Sequence, residues 1–136
     1  MSLRMVLSTS RFPGVRAVPR AALWLGLLAA LACNSESRKT EAARSTVQRF
    51  FEALPARDCA VLGPLLVGKA ADTCQATVDD LSAHGFSLVE VLDAKVDGRD
   101  PNAVVVRARV ARDGQVREQP LLLRVEQHPD GWKLRL

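Results

Sequence analysis

The sequence has no tyrosine, and its aromatic residues amount to four Phe and two Trp. That scarcity argues against tyrosine-based catalysis and against the aromatic platforms on which single-stranded nucleic acid stacks. The two histidines and three cysteines do not read as a zinc site, because neither Cys59 nor Cys74 has a second Cys or His at ligand spacing. No phosphate-cradling glycine loop and no nucleophile triad can be read anywhere. The sequence therefore assigns no catalytic residue, no metal and no cofactor. Its 136 residues also exclude a multidomain enzyme.

Acidic residues are missing altogether from residues 1–32, which carry Arg4, Arg11, Arg16 and Arg20. Removing those four from 19 basic residues leaves 15 against 15 acidic ones, so the whole net charge of +4 lies in this segment. The basic pI of about 9.4 thus does not mark a nucleic-acid binder. What is present, 48% hydrophobic and 25% charged residues, is globular composition.

The first 32 residues have the three parts of an export signal. A basic stretch, starting at Met1 or Met5, precedes an apolar core over residues 21–32. Twelve residues span roughly 18 Å as a helix, against about 30 Å of bilayer hydrocarbon. A signal-peptide core is expected, not a membrane span. The junction Leu31-Ala32-Cys33 resembles the lipobox of bacterial lipoproteins, departing from its commonest form by Ala30 in place of Leu. The resemblance implies cleavage before Cys33 and a lipid on its sulfur, hence a domain anchored to a bacterial membrane and facing the periplasm. The plain alternative is an ordinary exported protein with Cys33 as a spare thiol.

An odd cysteine count in an exported chain leaves one thiol over. Lipidation of Cys33 accounts for one and leaves Cys59 and Cys74 to pair. The alternative is two buried free thiols behaving as small apolar residues.

Residues 33–39 read as the lipidated Cys and a polar, aperiodic tether, with the folded domain over residues 40–136. Thr40 suits the N-cap of a first helix whose apolar positions are Ala43, Val47, Phe50, Phe51 and Leu54, ended by Pro55. Asp58 can cap a second helix through Cys59, Leu62, Leu65 and Leu66. A third is expected over residues 71–83, with Ala71, Cys74, Val78 and Leu81 on one face and Gly85 as its stop. Cys59 and Cys74 then share inward faces of neighbouring helices.

After Gly85 the pattern changes to strands. Residues 86–97 are rich in apolar and β-branched types and end at a turn over residues 98–102. Val104, Val106, Ala108 and Val110 alternate with Arg107 and Arg109, and Asp113-Gly114 signals a hairpin. Leu121, Leu123 and Val125 alternate with Arg124 and Glu126, and Trp132, Leu134 and Leu136 with Lys133 and Arg135. The expected fold is α+β: three N-terminal helices on one face of a four-stranded antiparallel meander.

The opening VQRFFEAL, the strands LVEVLDAKVDG and AVVVRARV and the closing DGWKLRL resemble the nuclear transport factor 2-like (cystatin-like) superfamily. Its small bacterial lipoproteins of unknown function are the most similar. The resemblance covers residues 40–136 and implies a curved, cone-like sheet around a long helix, often with a cavity. Its enzymatic members place an Asp or His, often with a Tyr, in that cavity. Here His84 falls at a helix end and His128 in a turn, while Asp72, Asp79 and Asp80 fit exposed or capping positions.

Two readings of function follow. The first is a non-enzymatic interaction or scaffold module of the cell envelope. It would pair with itself or an envelope protein through an edge strand or the face bearing Arg107, Arg109 and Arg124, with Arg117, Lys133 and Arg135. The second is a binder of an apolar small molecule in a cavity lined by Phe50, Phe51, Val106, Leu123 and Trp132.

Overall fold

The computed structural model describes residues 20–136 and, ahead of them, Gly14. The basic stretch expected of an export signal lies outside the described residues. So do the side chains of its apolar core and of Cys33.

The first element among the described residues is a single long helix, α1 (Arg20–Ala53). Its expected stripe is confirmed at Ala43, Val47, Phe50 and Leu54, each at most 2% exposed, whereas Phe51 is only partly buried. The helix does not start at Thr40. Residues 34–39 are helical too, with 34–38 exposed, because nothing in Asn-Ser-Glu-Ser-Arg-Lys breaks a helix. Thr40 lies inside the helix, its Oγ1 donating to the Ser37 carbonyl at 3.0 Å. Thr46 is the one buried polar residue among those described, and it returns its hydroxyl to the Ala42 carbonyl at 2.9 Å. No helix among the described residues is long and apolar enough to cross a membrane.

After α1 come a 3-10 turn (Leu54–Ala56), α2 (Cys59–Leu62), a second 3-10 turn (Gly63–Leu65), α3 (Lys69–Asp72) and α4 (Cys74–Ala83). Asp58 caps α2 as expected, accepting from the Ala60 N–H. The expected third helix is interrupted at Thr73, which separates α3 from α4. Gly85 ends the helical half with a φ of +56°, a left-handed conformation that an L side chain adopts only at a cost.

The strands are β1 (Ser87–Asp97), β2 (Asp100–Arg112), β3 (Gln115–Val116), β4 (Leu121–His128) and β5 (Gly131–Arg135). All neighbours are antiparallel in the order β1-β2-β4-β5, with β3 a short addition to β2. The architecture is α+β, with five strands instead of the four expected. Asp113 and Gly114 both have positive φ, 52° and 77°, as a two-residue turn of this hairpin type requires. β2 starts earlier than the alternation indicated, because Gly98 and Arg99 alone form the turn.

The sheet's inner face packs on α1, which touches β1, β2, β4 and β5. Val104, Val106, Ala108, Leu123, Val125 and Leu134 are buried there with the α1 stripe, Leu62, Leu66 and Val78. Leu136 does not join them: it lies past β5 and is 50% exposed. In β1 the inward residues are Leu88, Val91, Ala94 and Val96, opposite Val110, Ala108, Val106 and Val104. Their spacing of three, three and two reflects bulges at Val89 and Leu92, where β1 carries a residue without a counterpart in β2. Bulges of this kind bend a strand and raise its twist, which curves the sheet over the helix.

Candidate functional site

Cys59 and Cys74 form a disulfide with Cα atoms 6.0 Å apart. It ties α2 to α4 at the end of the core, and Cys74 is 7% exposed. The pairing read from cysteine arithmetic is therefore present.

The residues expected to line a cavity separate into two sets. Phe50, Val106 and Leu123 are 3% exposed or less and belong to one apolar cluster. Trp132 is partly buried against that cluster. Phe51 turns its ring edge-on to Phe50, centroids 5.5 Å apart. It opens onto a groove of about 450 Å³ between α1 and the start of β1. Gln48, Glu52 and residues 87–91 complete the groove's lining. The histidines do not converge on it. His84 caps α4 at its C-terminal end, 3.7 Å from Asp80, and His128 ends β4 at 3.4 Å from Glu126. Asp72, Asp79 and Asp80 are exposed, and Asp79 accepts from the Gln75 side-chain amide at 2.9 Å.

The outer sheet face carries the charge. Arg107 pairs with Asp93 at 2.8 Å. Arg109 is answered less well, its Nε buried without a hydrogen bond 3.6 Å from Glu90. Lys133 reaches Asp130 at 2.8 Å. Arg117, expected on this face, stands instead in the connection after β3.

Arg124 is the hub of the face. It donates to Asp97 at the end of β1, to Asp100 at the start of β2 at 3.0 Å, and to Glu126 on its own strand at 3.1 Å. Arg135 on β5 stands directly opposite Arg124, a like-charged cross-strand pair that would repel on its own. Glu126 resolves it by accepting from both guanidiniums, with Arg135 at 2.8 and 3.0 Å. One carboxylate thus serves two arginines, and through Arg124 the network joins β1, β2, β4 and β5.

The bonds from Arg135, ahead of those from Arg124 and His128, pull the Glu126 carboxyl from an ordinary 4.5 down to about 2. Asp97 is lowered too, first by the Arg99 backbone N–H and then by Arg124. Glu126 is only 15% exposed, so the lowered carboxyl bears on stability as well as on titration. A depressed carboxyl stabilises the fold fully above its unfolded value and loses that contribution as pH falls through the folded one. Glu126 should therefore contribute on the order of 2 kcal/mol, lost between about pH 4.5 and 2. Glu126→Gln should flatten the acid limb of the stability curve over that window, as followed by urea unfolding at several pH values. An unchanged acid limb would show that the network carries no stability.

The sequence displayed the arginines but not their acids. Glu90, Asp93, Asp97 and Asp100 reach them only across strands, through a register that no single strand displays. What this face presents is an internally neutralised ion lattice, not a free cationic surface. No family model matches the chain, and no curated protein matches it.

Proposed function

We propose that the chain is a non-enzymatic interaction or scaffold module, anchored by a lipid on Cys33 to a bacterial membrane and facing the periplasm. In this reading its domain is a cone-like member of the nuclear transport factor 2-like superfamily. The observation that carries it is the division of chemistry between the faces. The cluster under the sheet is apolar, while the charged groups lie on the outer face, paired with one another. A site that makes or breaks bonds needs polar groups converging in a sheltered space. Recognition between proteins needs only a surface and an open sheet edge, and β1 offers such an edge beside the groove.

The anchor is tested by Cys33→Ser in the full chain. The variant should leave the membrane fraction, since removing the lipids removes what holds the domain there. Full retention in the membrane fraction would overturn the anchor.

A second reading, an apolar small-molecule binder, draws on Phe51, Leu88 and Val91 at the groove. Its volume of about 450 Å³ falls within the usual range for ligand sites.

A further inference from the structure

The two edges of the sheet are treated differently. The chain segment after the second 3-10 turn lies along β5: Leu66 bridges to Leu134, and the Val67 N–H donates to the Leu134 carbonyl at 3.1 Å. The outer edge of β1 has no strand beside it among the described residues. Between the bulge at Leu92 and the register shift at Asp97, residues 93–96 run in unbroken register with β2. This is the regular, open part of the edge.

The same stretch holds a cation that the lattice leaves unanswered among the described residues. Arg107, Arg109, Arg124, Lys133 and Arg135 each have an acidic partner. Lys95 is exposed and has none among the described residues. It shares the outer face with Asp93, two positions back, while Ala94 between them points to the core side.

That three-residue pattern, acid-alanine-base, is complementary to itself. Two copies of β1 placed antiparallel about a twofold axis at Ala94 set each Asp93 opposite Lys95 of the other copy, on the same face, with two small alanines meeting at the centre. Moving the axis to Asp93 or to Lys95 would set like charges opposite each other, so charge selects the register. The bulge at Leu92 keeps the paired stretch short, so the contact is weak in dilute solution. Anchoring every copy in one membrane raises the effective concentration enough for a short contact to count.

We propose that the open edge of β1 pairs with the same edge of a second copy about Ala94, closed by two Asp93–Lys95 ion pairs between the copies. This rests on the interaction-module reading and names its partner.

The test is Ala94→Cys in the full chain, in its own membranes, treated with a short thiol–thiol cross-linker. The parent chain serves as the control for Cys33, Cys59 and Cys74. A dimer specific to the variant is expected. Adding Lys95→Glu should reduce it roughly tenfold, because both pairs become repulsive. Asp93→Lys should do the same, and co-expressing the two differently tagged variants should restore a mixed dimer in which every pair is again attractive. Asp93→Lys also disturbs Arg107, so Lys95→Glu, with an unchanged melting temperature as proof of folding, carries the test alone if needed. Absence of the dimer, or a dimer indifferent to Lys95→Glu, would overturn the proposal. Lys95 would then be a guard against edge pairing. Cross-linking to a different protein alone would also overturn self-pairing while leaving the interaction-module reading standing.

Discussion

Replacing Phe50 by alanine is expected to cost about 3–5 kcal/mol of folding stability. Its ring is fully buried, within the apolar cluster between α1 and the sheet. Removing it takes away the transfer free energy of the ring and leaves a hole that an α1 stapled over four strands cannot collapse into. Against a typical domain stability of about 5–15 kcal/mol, the melting temperature should fall by roughly 15 °C or more. Phe51→Ala, one residue on but open to the groove, should cost about 1 kcal/mol. The contrast separates a packed interior from an empty cone. If Phe50 lined an empty cone, its removal would cost little and the two variants would look alike in urea unfolding.

Opening the disulfide is the second large effect. Cys59 and Cys74 close a loop with a sequence separation of 15, worth roughly 3 kcal/mol in the chain-entropy model. The segments it joins need that help. α2 and α3 have four residues each, too short to be stable as isolated helices, and a core of this size has little to spare. Reductant, or Cys59→Ala with Cys74→Ala, should lower the melting temperature by roughly 10 °C or more. An equal melting temperature with and without reductant would mean that the bond adds nothing. Titration of the denatured, unreduced mature protein should find neither thiol free.

Much of this domain was legible because the local signals were strong. The α1 stripe, the alternation of β2, the Asp113-Gly114 hairpin, the Asp58 cap and the Gly85 stop each follow from side-chain period or backbone permissiveness within a few residues. The cysteine pair followed from counting. What escaped the sequence depended on partners. The inward residues of β1 follow neither period 2 nor period 3.6, because two bulges break the alternation, and a bulge is defined by the strand opposite. β3 is two residues long, below the reach of any pattern. The break at Thr73 and the helical course of residues 34–39 lie in stretches where propensities are nearly balanced. The outer face was read as an arginine-bearing surface for the same reason, since Glu126, which the alternation puts on that face, shows its role only once β4 and β5 are side by side.

We propose a lipid-anchored domain with a packed interior that acts through its surface. The most direct measurement is a native intact mass of the full-length protein, gently extracted from its own membranes. The expected result is a chain carrying acyl mass, lacking the two hydrogens of one disulfide, and free of any bound small molecule. A chain without acyl mass, or one carrying a small apolar molecule that is lost on denaturation, would contradict it.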